Sequence, residues 1–134
     1  MLKVNKALKL QEIAVKLAEE KSSKIAVAVT DSVGELISFV KMDGVAPHAA
    51  VLAQNKAYTA ARDRQTTKSL ANWASDTNKD LSYWTDSRFT GIAGGIPIQV
   101  DGSVVGAIGI SGMSEEDDEN LGFEALSLLN KLFS

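Results

Sequence analysis

The chain has 134 residues, a formal net charge of -3 and no cysteine. Its length suits one domain, and the lack of cysteine excludes disulfides, thiolate metal sites and cysteine nucleophiles. Its basic residues are scattered, whereas nucleic-acid binding normally needs a dense basic face, so we expect no nucleic-acid partner.

The sequence carries no pattern of a membrane or export segment. No stretch approaches the roughly 18 apolar residues of a membrane-spanning helix. The first ten residues contain three lysines without a continuous apolar run, unlike a signal peptide. We therefore expect one domain over residues 1–134, a cytoplasmic location and no membrane partner.

The first third of the chain predicts a helix followed by a hairpin. Apolar residues recur at helical spacing over residues 10–18, and Asn5 is a suitable N-cap for this amphipathic helix. Two β-branched runs, 25–29 and 36–40, flank a turn that contains Gly34. Because glycine readily adopts the positive φ of tight turns, the pattern predicts an antiparallel hairpin.

Two helices are predicted in the middle of the chain. An alanine-rich segment over residues 47–62 has high helix propensity. Pro47 suits its first turn, where a missing N–H costs nothing. A shorter helix is predicted over residues 67–74, and residues 75–91 are interpreted as a loop with a helical turn.

The last third of the chain returns to strands. Two apolar runs, 96–100 and 104–110, flank Asp101-Gly102, a two-residue signal for a hairpin. Glycines within the second run permit the close approach of a helix or a ligand. We also predict a fifth strand near residues 88–93.

A final helix is predicted to start at Ser114. Ser114 and Asp117 have the spacing of a capping box. The acidic run at 115–119 falls in the first turn, where the helix dipole favours negative charge, and a metal site is the alternative interpretation. The residues expected on the buried face are Leu121, Ala125, Leu128, Leu129 and Leu132.

The order of predicted elements defines the fold class. It runs helix, strand pair, helices, strand pair, helix, and consecutive hairpins imply an antiparallel sheet. Amphipathic helices must cover such a sheet, so we predict a mixed α/β (α+β) fold.

Six short strings stand in a fixed order along nearly the whole chain. They are Asp31-x-x-Gly34, Met42-Asp43-Gly44, Asn55-Lys56-Ala57-Tyr58-Thr59-Ala60, Thr66-Thr67-x-x-Leu70, Gly94-Gly95-Ile96-Pro97-Ile98 and Gly106-Ala107-Ile108-Gly109-Ile110-Ser111-Gly112. In their order and spacing, these strings together resemble the GlcG/HbpS family, which includes the C-terminal domain of PduO-type proteins. One departure is Ala93, where the family commonly has a third glycine.

The resemblance implies a profilin-like fold, in which a five-stranded antiparallel sheet lies between helices. It also implies homo-oligomers and the binding of haem or a related tetrapyrrole as cofactor. The axial iron ligand varies within the family, so no single residue carries over as the ligand.

The alanine-rich helix carries four candidate ligand-binding residues. His48 is the only histidine, and imidazole is a common ligand of haem iron. A solvent-facing residue at a helix start is the alternative. Lys56 is a candidate to pair with a propionate or, alternatively, with a nearby carboxylate. The oxygens of Tyr58 and Thr59 are candidates to approach iron, and packing in the core is the alternative for Tyr58.

Five further candidates lie near the junction of the two middle helices and in the glycine-rich stretch. Arg62, Thr66 and Thr67 surround a helix N-terminus that suits an anion, with ordinary capping by a threonine as the alternative. Gly94 and Gly95 precede a strand rather than a helix, so they do not form a phosphate loop. We interpret them as a tight turn bordering a pocket.

The sequence contains no recognisable set of catalytic residues. There is no Gly-x-Ser-x-Gly string, and a triad would rest on one histidine. Our leading hypothesis is an oligomeric domain that binds haem or a related tetrapyrrole, and a small anionic metabolite is the other candidate partner. Its pocket would lie between the alanine-rich helix and the glycine-bearing strands, or between subunits. A non-catalytic accessory protein of small-diol or hydroxy-acid metabolism and a haem-degrading enzyme are the alternatives.

Overall fold

The fold is that of a computed structural model, which describes residues 1–133. Four helices and four strands follow one another in the predicted order, with a 3₁₀ turn at Leu81–Trp84 in the loop before the third strand. The helices are α1 (Val4–Glu20), α2 (Pro47–Asp63), α3 (Thr67–Asp76) and α4 (Glu115–Phe133). The strands are β1 (Ala26–Asp31), β2 (Leu36–Lys41), β3 (Gly95–Val100) and β4 (Ser103–Ser111).

The four strands form one antiparallel sheet in the order β2-β1-β4-β3. Both predicted hairpins are present, so the α+β class is confirmed. At the β3–β4 turn, Asp101 and Gly102 have φ angles of 51° and 79°. Positive φ at both central residues matches the tight hairpin turn that suits the twist of the strands.

The two faces of the sheet are covered by different helices. Side chains alternate along a strand, so Val27 and Ile108 face one side, whereas Ala28 and Ala107 face the other. The branched side chains pack against α1 and α4 in the larger core cluster. The alanines pack against α2 in a second cluster made almost wholly of alanine.

Helix α2 lies directly on the sheet because two glycines make room for it. Gly95 and Gly109 are paired across β3 and β4. A Cβ atom added to Gly109 would lie 2.0 Å from the carbonyl oxygen of Ala53, and one added to Gly95 would lie 2.3 Å from that of Lys56. The prediction of a pocket between α2 and the glycine-bearing strands is therefore wrong, because the backbone of α2 fills that space.

The predicted fifth strand near residues 88–93 is absent, and the sheet of residues 1–133 has four strands. The amides of this segment donate to side chains instead of a neighbouring strand. Thr90 N donates to Thr59 Oγ1, Ile92 N to Thr90 Oγ1, and Ala93 N to Glu115 Oε1. With its donors used in this way, the segment follows an irregular path around α2.

One of the two helix caps predicted from the sequence is found in the structure. Ser114 caps α4 as predicted, because its hydroxyl accepts a hydrogen bond from Asp117 N at 3.1 Å. The N-cap role predicted for Asn5 is wrong. Helix α1 begins at Val4, and Lys3 holds the cap position without a side-chain hydrogen bond.

The buried face of α4 is shorter than predicted. Leu121, Ala125 and Leu129 belong to the main core, whereas Leu128 and Leu132 are 36% and 59% exposed. Leu128 and Leu132 therefore lie outside the packed face of α4, and Leu132 lies in its last turn. Among residues 1–133, no helix combines the length and apolar character that a membrane crossing requires.

Candidate functional site

Lys56, a candidate for ligand binding, is buried under α4. Its ammonium lies 3.1 Å from Asp118 Oδ2 and donates to the carbonyl oxygen of Ile110 at 2.7 Å. Burial lowers the pKa of Lys56 and raises that of Asp118, whereas their mutual attraction opposes both changes. The pair joins α2 to α4 and to the end of β4, and Lys56 does not face solvent.

Two candidate threonines, Thr59 and Thr67, are buried around the glycine-rich stretch. Thr59 Oγ1 donates to the carbonyl oxygen of Asn55 at 2.7 Å and accepts from Thr90 N at 3.1 Å. Thr67 Oγ1 accepts from Gly95 N at 3.0 Å. These contacts order the chain before β3 and leave the hydroxyls no open cavity to line.

Gly94 and Thr66 also have local structural roles. Gly94 has a φ of 128°, which side-chain-bearing residues rarely adopt, and a Cβ there would lie 2.5 Å from the Ile110 carbonyl oxygen. Thr66 caps α3, because its hydroxyl accepts from Ser69 N at 3.0 Å. The structure thus places Thr66 as the ordinary cap that was the alternative to anion binding.

The remaining candidates share the solvent-facing side of α2. His48, Val51, Asn55, Tyr58 and Arg62 recur at intervals of three or four residues, and we call this row the outer face of α2. His48 is exposed, and its imidazole has no hydrogen-bond or ion-pair partner among residues 1–133. Val51 is 47% exposed.

Tyr58 lies at the centre of a charged cluster at the far end of this face. Its hydroxyl donates to Asp86 Oδ2 at 2.5 Å. The Cζ atoms of Arg88 and Arg62 lie 3.9 and 5.2 Å from the ring centroid, within the range of cation–π contact. The ring of Phe89 meets that of Tyr58 edge-on, 6.1 Å between centroids.

The hydrogen bond between Tyr58 and Asp86 affects what the phenol can do. It raises the pKa of Tyr58 and lowers that of Asp86, because it favours the neutral phenol and the ionised carboxylate. A tyrosine binds iron as phenolate, so this contact disfavours Tyr58 as an iron ligand.

A cleft of about 410 Å³ opens between α2 and the β1–β2 turn, and we call it the Tyr58 cleft. Gly34 has a φ of 91° in this turn, and a Cβ there would lie 3.0 Å from the Tyr58 ring. Glycine therefore lets the turn close over the ring. Tyr58 and three charged side chains, those of Glu35, Arg62 and Arg88, line the cleft.

Sequence reasoning missed Arg88, Asp86 and Glu35 as members of this site. They are separated from Tyr58 by 20 residues or more of chain, and Arg88 fell within the wrongly predicted fifth strand. Aromatic residues on both sides of Asp86 and Arg88, at 83, 84 and 89, were the available signal. That signal indicates a packed loop but does not show which helix the loop touches.

Comparison with known proteins places this architecture in a family. Residues 2–127 match a family model described as "Haem degrading protein HbpS-like". Protein GlcG of Escherichia coli K12 is 36% identical over 94 residues, which is 70% of this chain and 69% of GlcG.

Two solved structures share the fold. A double mutant of Streptomyces reticuli HbpS superposes with a TM-score of 0.87 at 28% identity, over 96% of this chain and 86% of that one. A PduOC structure solved as a haem complex superposes with a TM-score of 0.86 at 24% identity, over 94% of this chain and 93% of that one. At this identity, the similarity supports a shared fold and nothing more. The resemblance seen in the sequence is confirmed, and this chain belongs to the HbpS-like family.

Proposed function

We propose that this protein binds haem, or a closely related tetrapyrrole, on the outer face of α2. The observation that carries the proposal is the exposure of His48, the only imidazole of the chain, on the helix face that also bears Tyr58 and Arg62. The family description, which names haem degradation, and the haem complex of a protein with this fold support the same ligand class.

The chemistry of this face suits a flat anionic macrocycle. The imidazole of His48 is available as an axial ligand. Val51, one turn further along, offers apolar surface. Asn55 follows seven residues after His48, about 10 Å along the helix axis, and there its Oδ1 accepts from Arg88 Nε. The guanidinium of Arg88 is thus placed to reach the propionates of a porphyrin whose iron is near His48.

At its His48 end, the outer face of α2 is a single wall, which leads us to include an oligomer in the proposal. Ligand sites usually enclose most of the ligand surface. His48 and Val51 are open to solvent, with no opposing element in residues 1–133. A second copy of the chain would provide the opposing wall. Bound iron would supply the redox chemistry, while the chain's residues bind and orient the group.

Titration with haemin tests the proposal. We expect a saturable Soret shift with the wild-type protein, and sedimentation analysis should show the haem on a dimer or larger oligomer. His48→Ala should weaken binding by about tenfold or more, as expected for loss of an interaction of about 1.4 kcal/mol. Asn72→Ala, an exposed change on α3, is the control and should bind as the wild type does.

Each part of the proposal can fail separately. No saturable shift in the wild-type protein would overturn haem binding. An unchanged spectrum and affinity in His48→Ala would remove the imidazole from the site. Haem bound to a monomer would overturn the role of the second copy.

A further inference from the structure

The Tyr58 cleft contains two guanidinium groups that form no ion pair with a carboxylate among residues 1–133. Arg62 and Arg88 both flank the ring of Tyr58, with Cζ atoms 5.2 and 3.9 Å from its centroid. Within residues 1–133, neither guanidinium lies within 4.0 Å of a carboxylate oxygen. The carboxylate of Asp86 attracts both arginines through space, but its Oδ2 accepts a hydrogen bond from the Tyr58 hydroxyl and not from a guanidinium.

The contacts that hold these guanidiniums leave most of their donors available. Arg62 Nη1 donates to the carbonyl oxygen of Val33 at 3.2 Å, and Arg88 Nε donates to Asn55 Oδ1 at 3.1 Å. A guanidinium has five N–H donors in a planar fork. Each side chain is therefore oriented by neutral partners while its remaining donors can still reach a ligand.

The geometry points to a carboxylate as that ligand. We propose that the Tyr58 cleft binds a carboxylate group between Arg62 and Arg88. The forked donors of arginine match the two oxygens of a carboxylate. Stacking on a fixed ring lowers the entropy that the Arg88 side chain loses on binding. The carboxylate would come either from a propionate of the tetrapyrrole, in which case this inference rests on the proposed function, or from a free small dicarboxylic acid.

The side chain of Glu35 adds a negative charge to the same cleft as the two arginines. This side chain is exposed. A carboxylate ligand entering the cleft would be repelled by it, so Glu35→Gln should tighten binding, whereas loss of either arginine should weaken it. A cleft that bound a neutral or cationic group would respond in the opposite direction or not at all.

Calorimetric titration with three probes tests the inference: haemin, its dimethyl ester and succinate. If propionates enter the cleft, haemin should bind about tenfold more tightly than the ester, and Arg88→Gln should remove that difference. Arg88→Lys keeps the charge but not the fork and should be intermediate. If a free acid is the ligand, succinate should bind and Arg62→Gln or Arg88→Gln should abolish it. Arg64→Gln is the matched control, since Arg64 does not line the cleft.

The outcomes separate this inference from haem binding. If haemin and its ester bind equally and succinate does not bind, the carboxylate site is overturned while haem binding stands. Succinate binding without any haemin binding would support the site and overturn the proposed function. Thermal melts of each variant identify loss of folding, and the exposed positions of Arg62 and Arg88 make such loss unexpected.

Discussion

The side chains of Lys56 and Asp118 form an ion pair of 3.1 Å between α2 and α4, and they are only 1% and 3% exposed. Each partner has a second hydrogen bond, since Lys56 donates to the Ile110 carbonyl and Asp118 Oδ1 accepts from Met113 N at 3.0 Å. These contacts offset part of the cost of burying two charges. The ion pair therefore links α2, which packs on the alanine face of the sheet, to α4, which packs on the opposite face.

Removing one member of this pair should strongly destabilise the fold. Lys56→Met leaves an uncompensated buried carboxylate, and we expect it to lower the free energy of unfolding by about 3–5 kcal/mol. Urea denaturation measures the change. The double variant Lys56→Met with Asp118→Leu should regain much of the loss, because no unpaired charge is then buried.

An exposed ion pair provides the control for that experiment. Lys9 and Glu12 lie 3.5 Å apart on the surface of α1. Lys9→Met should change stability by no more than about 0.5 kcal/mol. Equal effects of Lys9→Met and Lys56→Met, or strictly additive losses in the double variant, would contradict the proposed role of the buried pair.

The phenol of Tyr58 should titrate above the ordinary tyrosine pKa of 10.0, because Asp86 accepts its proton in a hydrogen bond. The difference between the phenolate absorbance titrations of the wild type and Tyr58→Phe isolates this group. Asp86→Asn should lower its midpoint. Because folding raises this pKa, its contribution to stability is complete below 10.0 and is lost as pH rises through the folded value. A Tyr58 midpoint at or below 10.0 that Asp86→Asn leaves unchanged would contradict this role of the hydrogen bond.

Gly109→Ala should be among the most damaging single-methyl additions. The new Cβ would lie 2.0 Å from the Ala53 carbonyl oxygen and 2.7 Å from Ala57 N, so α2 would have to move away from the sheet. We expect a loss of about 3 kcal/mol or more in thermal or urea unfolding.

Gly122→Ala is the matched control for that substitution. Its added Cβ would meet only the flexible end of Ile96 at close range, and alanine favours the helix by about 1 kcal/mol. The net change should stay within about 1 kcal/mol. If Gly109→Ala were equally mild, the direct contact of α2 with the sheet would be in doubt.

Neighbouring threonines at the start of α3 should respond differently to loss of their hydroxyls. Thr67→Val leaves the buried Gly95 N without its acceptor and should cost about 1–3 kcal/mol. Thr66→Ala removes a solvent-accessible cap and should cost about 1 kcal/mol. Comparison of their urea midpoints checks the order, and a larger effect at Thr66 would reverse our assignment of roles.

The elements of this fold were predictable because their signals are local. Alternating apolar residues and the Asp101-Gly102 turn predict the β3–β4 hairpin, and Pro47 with the following alanines predicts α2. The prediction of a fifth strand was wrong because contacts with distant residues determine the path of this segment. The amides of its residues bind the side chains of Thr59 and Glu115, which lie 22 residues or more away in the chain.

The sequence identified several residues of the candidate site but not how they are arranged in space. His48, Tyr58 and Arg62 were identified and share one helix face, since their spacing follows from the helical period. Lys56 belongs to the same sequence string, but the rotation of α2 on the sheet directs it inward to Asp118. Arg88 could not be assigned, because its contact with Tyr58 depends on how a long loop packs.

By itself, the sequence determined the helices, both hairpins and the family, because helical period, strand alternation and turn chemistry act over a few neighbouring residues. Only the tertiary structure decided that α2 closes onto Gly95 and Gly109 without a cleft and that Arg88 stacks on Tyr58. Those outcomes depend on how closely distant segments approach. That distance is set by the volumes of all the side chains between them, so no local pattern encodes it.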